Sequence, residues 1–182
     1  RLDEARDAGL LVGYLEGAGL EVERFTPRPG RDSMVARIEG TDPGAPTLLF
    51  IPHLDVVPAD AAAWSMDPFA ATVRDGFVWG RGAVDMLNLT AAMAVVTREV
   101  IDGDLPTPPG GLVYLAVADE EVGGDCMQHV VDQHDLPVDD EAVAVPIGRI
   151  ELIKERAPAE RVKFGLRKRP VTVSQQGCKG TQ

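Results

Sequence analysis

The sequence lacks the features that mark several classes of protein. It has two cysteines, Cys126 and Cys178, which are too few for a disulfide framework and do not have zinc-ribbon spacing, so we expect both to be free thiols. No apolar run approaches the roughly 18 residues of a membrane helix, and the N-terminal residues show no charged segment followed by an apolar one. These absences predict a cytoplasmic protein without a membrane partner.

Basic residues are scarce before residue 149. The net charge of -11 argues against general nucleic-acid binding. Residues 149–182 nevertheless contain nine of the 18 Lys and Arg residues and only three of the 29 acidic residues. We therefore predict one domain at residues 1–148 and a basic tail at residues 149–182. Two interpretations of the tail stay open: a solvated edge of that domain, or a segment that does not belong to it by composition.

The apolar pattern predicts helices that alternate with strands. Apolar residues at helical spacing predict amphipathic helices, and short alternating or continuous apolar runs predict strands. The dipeptide Asp75-Gly76 between two such runs indicates a hairpin, because both residues tolerate positive φ. This order predicts an α/β domain with a mixed or mostly parallel sheet. The predicted helices are 2–20, 86–101 and 125–133, and the predicted strands are 20–25, 33–38, 47–51, 70–73, 77–79 and 111–118.

Candidate metal ligands follow two of the continuous apolar strands. His53 and Asp55 come after the strand predicted at 47–51, and Glu120 and Glu121 come after the last predicted strand. Sites in open α/β sheets form at the carboxyl ends of strands, so we expect these side chains to meet. An imidazole nitrogen and carboxylate oxygens suit zinc. In the alternative interpretation, the histidine is a hydrogen-bonded residue at a strand end.

Each acidic candidate also has a second interpretation. Asp55 lies two residues after His53 and can orient the imidazole by accepting its other N–H. Asp85 precedes a predicted helix, where aspartate is a common N-cap, but its two oxygens can also bridge two metal ions. In the pair Glu120-Glu121, one carboxylate can bind metal while the other transfers a proton, and the alternative is an acidic loop that faces solvent. The remaining histidines, which we expect at the surface, are His129 and His134.

Four segments together resemble a known family. They are HLDVVP at 53–58, WSMDPF at 64–69, DGFVWGRGAVDM at 75–86 and DEEVGG at 119–124. Their order and separations are similar to those of the zinc peptidases and deacylases that include aminoacylase, glutamate carboxypeptidase, acetylornithine deacetylase and succinyl-diaminopimelate desuccinylase. The resemblance covers roughly residues 1–135. It implies the three-layer α/β catalytic domain of a zinc exopeptidase, present in its N-terminal part and without the lid and dimerisation domain.

The resemblance implies a role for each candidate residue. His53 and Glu121 would be zinc ligands, and Asp85 would bridge two zinc ions. Asp55 would orient the histidine, and Glu120 would be the general base that deprotonates the attacking water. The substrates would be N-acyl amino acids or small peptides, cleaved to a carboxylate and an amine.

The sequence departs from the family at several positions. Pro52 stands where the family usually has glycine, and Leu87 stands where it usually has lysine. Val145 aligns with a further acidic ligand, for which Glu141 and Glu151 are imperfect substitutes, and the last histidine ligand of the family has no counterpart. Three hypotheses therefore stay open: an amide hydrolase, an inactive remnant or binding module of the same fold, and a partner-binding role for the basic tail.

Overall fold

The predicted helices and strands of the first 133 residues are all present in the computed structural model. It describes residues 4–133 and, for the strand at 143–145, the backbone. The elements are α1 (Glu4–Glu16), β1 (Val22–Arg28), β2 (Arg31–Ile38), β3 (Leu48–Phe50), a short 3-10 helix (Ala61–Ala63), β4 (Thr72–Arg74), β5 (Phe77–Trp79), α2 (Leu87–Ile101), β6 (Leu112–Ala116), α3 (Asp125–Gln133) and β7 (Val143–Val145).

Several sequence predictions lie outside the described residues. They concern the basic tail at 149–182, the thiol of Cys178, the position of His134, and the substitute ligands Glu141 and Glu151. Among the described helices, none is long and apolar enough to cross a membrane.

Local sequence sets the ends of the elements. Helix α1 ends at Glu16, earlier than predicted, because Gly19 takes a positive φ of 88° and donates its N–H to the Glu16 carbonyl. The hairpin between β4 and β5 turns at Asp75 and Gly76, which have φ values of 54° and 81°. Both positive angles match the turn that this dipeptide predicts.

The main sheet is mixed, as predicted, with the strand order β1-β2-β6-β3-β7. Strand β2 pairs antiparallel with both β1 and β6, whereas β3 pairs parallel with β6 and with β7. Parallel neighbours need a long crossover, and α2 lies in the crossover between β3 and β6. The carboxyl ends of β3 and β6 therefore lie side by side at one edge of the sheet.

Helices cover both faces of this sheet, which gives three layers. Strand β6 is buried along its whole length, and its alternate residues point to opposite faces. Leu112, Tyr114 and Ala116 pack with residues of α1 and α2, whereas Val113 and Leu115 pack on the face that α3 covers. This packing fixes α2 and α3, the two helices that flank the candidate site, against the central strands.

Candidate metal site

His53 lies just beyond β3, at the position where this segment meets the continuation of β6. It forms an isolated parallel bridge with Val117, and Leu54 donates its N–H to the Val117 carbonyl at 2.8 Å. The imidazole is buried. Its Nδ1 donates to the Asp55 carbonyl oxygen at 2.9 Å, and its Nε2 lies 3.1 Å from Oδ1 of Asp85. Because Nδ1 carries a proton for the carbonyl, Nε2 is the nitrogen that can bind a metal.

The surroundings of His53 favour the protonated imidazole in the metal-free chain. Burial lowers its pKa, but the Asp55 carboxylate, the Asp55 carbonyl and the Asp85 carboxylate together raise the pKa of His53 to about 9. A protonated imidazole donates from both nitrogens, which accounts for the contact between Nε2 and Asp85. A metal ion at this position has to displace that proton.

Asp55 joins the two strand ends that carry the candidate residues. This residue is 1% exposed, and its two carboxylate oxygens accept the backbone N–H groups of Glu120 and Glu121, each at 3.0 Å. One of these oxygens also lies 3.6 Å from Nδ1 of His53. Burial raises the pKa of Asp55, but the bonds from His53 and from the two amides outweigh it and lower that pKa. The Asp55 side chain thus binds the backbone amides of Glu120 and Glu121. The nearer partner of the imidazole is the Asp55 carbonyl oxygen.

Asp85 faces the imidazole from the start of α2. Its side chain is 53% exposed, and the residue before the helix is Met86, which makes no capping bond through its side chain. The structure therefore contradicts the interpretation of Asp85 as an N-cap. Its carboxylate is free of the helix and is directed at Nε2 of His53.

Of the three consecutive acids, only Glu121 joins the other two candidate ligands. One ligand atom each from His53, Asp85 and Glu121 can be chosen so that all lie within 4.8 Å of one another. Burial raises the pKa of Glu121, and the negative charge of Asp85 raises it further. The side chain of Glu120 is exposed and lies outside this group.

Asp119, the first of these acids, has a structural position instead. It is buried, and its φ of 64° lies in the left-handed region, which aspartate tolerates better than most residues. Its carboxylate accepts the N–H of Cys126 in α3 at 3.1 Å. Its carbonyl oxygen also accepts the N–H groups of residues 122, 123 and 124. The residue therefore forms the turn that joins the end of β6 to α3.

Two residues that support His53 carry no clear signal in the sequence. Thr90, in the first turn of α2, donates its hydroxyl to the His53 carbonyl at 2.9 Å, and the sulfur of Met86 accepts the His53 N–H at 3.5 Å. Both look like ordinary residues of an amphipathic helix. His129, expected at the surface, is half-buried and stacks on Phe25 with ring centroids 5.9 Å apart.

The residues present fit a zinc ion. An imidazole nitrogen and two carboxylate oxygens are ligands that zinc takes in hydrolases, which leave a further position open. The two acids of the group, Asp85 and Glu121, repel each other, and a bound cation would relieve that repulsion. The buried Nδ1–H bond of His53 supplies the outer partner that a histidine ligand needs.

Comparison with known proteins shows a family to which this chain is similar. Residues 49–165 match peptidase family M20/M25/M40. Succinyl-diaminopimelate desuccinylase of Afipia carboxidovorans is 41% identical over 123 residues, which are 65% of this chain and 31% of that protein. The enzyme of the same name from Cereibacter sphaeroides is 34% identical over 166 residues, or 91% of this chain and 42% of that protein.

A solved structure gives the same fold. The crystal structure of human carnosine dipeptidase 1 matches with a TM-score of 0.60 and 25% sequence identity, over 71% of this chain and 29% of that one. The present chain thus spans less than half the length of each of these three proteins.

Proposed function

The chain belongs to peptidase family M20/M25/M40, and from this premise we propose that it carries the metal-binding part of a zinc-dependent hydrolase of amide bonds. The substrates proposed are N-acyl amino acids or small peptides. Two of the similar proteins are named for removing a succinyl group, and a third is named for cleaving a dipeptide, which supports this class. The single observation that carries the proposal is the meeting of His53, Asp85 and Glu121 within 4.8 Å.

Three side chains would hold the first zinc ion. They are Nε2 of His53 and one carboxylate oxygen each of Asp85 and Glu121. Asp85 has a second carboxylate oxygen and a half-exposed side chain, so it is also the residue suited to bridge to a second ion. When bound, zinc supplies a Lewis acid that polarises the carbonyl oxygen of the scissile amide.

Glu120 is the proposed general base. Its side chain is exposed beside the ligand group rather than inside it, so its oxygens are available to a water molecule and to the substrate. It would take a proton from the attacking water and deliver that proton to the nitrogen of the leaving amine. Asp55 supports this role, because it fixes the amide of Glu120 and thereby the direction in which the side chain leaves the backbone.

Two substitutions separate the proposed ligand from the proposed base. Glu121→Ala should weaken zinc binding, measured by calorimetric titration of the full chain, because it removes one of the three ligands. Glu120→Ala should leave zinc affinity within about twofold of the parent value but abolish hydrolysis of N-acyl amino acids, since removal of a general base typically costs about 10²–10⁴-fold in rate. Glu99→Ala, an exposed acid on α2, is the matched control and should change neither property.

Equal zinc affinities in Glu120→Ala and Glu121→Ala would contradict the two roles. So would unchanged hydrolysis in Glu120→Ala. His53→Ala should lower zinc affinity at least as much as Glu121→Ala, because it removes the only nitrogen ligand among the described members of the group.

A second candidate function is a zinc-binding domain that does not complete hydrolysis. The observation in its favour is that the described residues offer three ligands in the group, which is sufficient for one ion rather than two. Such a chain would bind zinc with the same dependence on His53 and Glu121. It would not hydrolyse N-acyl amino acids, so Glu120→Ala would have no hydrolysis to abolish. The hydrolysis assay therefore separates the two functions.

A further inference from the structure

We infer that Thr90 is a positioning residue of the metal site, and that its hydroxyl fixes the distance between the two ligands His53 and Asp85. The inference rests on the proposed function, because it concerns the same ligand group. Thr90 itself lies outside that group and is 3% exposed.

The two ligands belong to different elements of the fold. His53 follows β3 by three residues, and Asp85 precedes α2 by two residues. Their separation, 3.1 Å between Nε2 and Oδ1, therefore depends on where the first turn of α2 docks against the end of β3. No side chain at the N-cap of α2 fixes that turn, since Met86 makes no capping bond.

The backbone N–H and carbonyl of His53 form hydrogen bonds with residues at the start of α2 rather than with the sheet. Its neighbours bond to β6, because the Val117 N–H donates to the Pro52 carbonyl and Leu54 donates to the Val117 carbonyl. The N–H of His53 donates to the Met86 sulfur at 3.5 Å, and its carbonyl accepts the Thr90 hydroxyl at 2.9 Å. The hydroxyl is the stronger of these two partners, since sulfur is a weak acceptor.

Thr90 is itself held in place from the neighbouring strand. The Tyr114 hydroxyl, which is buried in β6, donates to the Thr90 carbonyl at 2.9 Å. Two hydrogen bonds thus connect Tyr114 to His53 through Thr90. The first is accepted by the Thr90 carbonyl, and the second is donated by the Thr90 hydroxyl. The Thr90 hydroxyl also lies 3.1 Å from the Met86 carbonyl, but its single proton can be given to one acceptor at a time, and the His53 carbonyl is the closer.

A second threonine on the same helix provides a matched control. Thr97 is also fully buried, and its hydroxyl donates to the Met93 carbonyl at 2.8 Å, inside α2. Its replacement by valine removes the same hydroxyl from the same helix, at a comparable depth, without touching His53. Any effect of Thr90→Val on the metal site that Thr97→Val does not share is therefore specific to the bond with His53.

The test is calorimetric titration of the full chain with zinc alone, after the urea midpoint has shown that each variant is folded. Loss of a group that orients a ligand typically lowers metal affinity about 10–100-fold, so Thr90→Val should fall in that range. Thr97→Val should stay within about twofold of the parent, and Thr90→Ser, which keeps the hydroxyl, should restore most of the affinity. The visible spectrum of the Co²⁺-loaded chain should change in Thr90→Val and not in Thr97→Val.

Equal zinc affinities in Thr90→Val and Thr97→Val would overturn the inference. So would a Thr90→Ser variant as weak as Thr90→Val, because the effect would then not come from the hydroxyl. If Thr90→Val does not fold, Thr90→Ala, which also lacks the hydroxyl and favours a helix, decides the same comparison. A parent chain that binds no zinc would overturn the proposed function as well, whereas strong binding that is insensitive to Thr90 overturns this inference alone.

Discussion

Zinc binding should release close to one proton per ion at pH 7.5, because the metal has to displace the proton of His53. Burial lowers the pKa of this imidazole, but the groups of Asp55 and then Asp85 raise it to about 9. Only the neutral imidazole binds zinc, so protonation competes with the metal.

The size of the effect follows from the two pKa values. With a pKa of about 9, His53 is roughly 97% protonated at pH 7.5, whereas with the ordinary value of 6.5 it would be roughly 10% protonated. Below pH 9, zinc affinity should therefore fall about tenfold for each pH unit. The stability of the metal-free chain, unlike its zinc affinity, should decrease as the pH rises. The contribution of His53 to the free energy of unfolding is fully present below pH 6.5 and is lost as the pH rises through about 9.

Calorimetric titration in buffers of equal pH but different ionisation enthalpy measures the released protons. Asp85→Asn removes one of the groups that raise the pKa of His53, and NMR titration of the metal-free variant should show a lower pKa than in the parent chain. Release of only about a tenth of a proton at pH 7.5, with an affinity that does not change between pH 7 and 8.5, would show that the imidazole of His53 is neutral in the metal-free chain.

Substitutions at two further positions test the packing around the site. Asp55→Ala leaves the amides of Glu120 and Glu121 without their acceptor and should lower the free energy of unfolding by about 1–3 kcal/mol, whereas Asp55→Asn, which keeps one oxygen, should lose less; urea unfolding measures both. Gly82→Ala should also destabilise the chain, by about 1 kcal/mol or more, because φ is 81° and the new Cβ would lie 2.7 Å from the Val56 side chain. An unchanged thermal midpoint in Gly82→Ala would show that the loop before Asp85 adapts without strain.

The family, and the meeting of His53 with Glu121, were predictable from short stretches of sequence. Four motifs indicated the family, and the match of residues 49–165 confirms it. The position of His53 and Glu121 at the ends of apolar strands predicted that they meet, because β3 and β6 are parallel neighbours whose carboxyl ends share an edge. The three-layer α/β fold is confirmed by the same match and by the structural neighbour.

The supporting contacts were not predictable, because they join residues far apart in the chain. The sequence indicates only that Thr90 is a core residue of a helix. Its hydroxyl reaches the His53 carbonyl because α2 packs against the end of β3. In the sequence, Asp119 is simply the first of the three consecutive acids at 119–121. In the structure its backbone is left-handed, and its carboxylate accepts an N–H of α3. The carboxylate of Asp55 was expected to serve the imidazole, and its bonds to two amides depend on how the segments after β3 and β6 pair.

The most direct test of the metal site is a crystal structure of the zinc-loaded full chain, with anomalous diffraction recorded at the zinc absorption edge. We expect an anomalous peak between Nε2 of His53 and the carboxylates of Asp85 and Glu121, with ligand distances of about 2.0–2.2 Å. A zinc ion bound at other residues, or no ordered ion at a concentration that saturates the chain in solution, would show that these three side chains do not form the metal site.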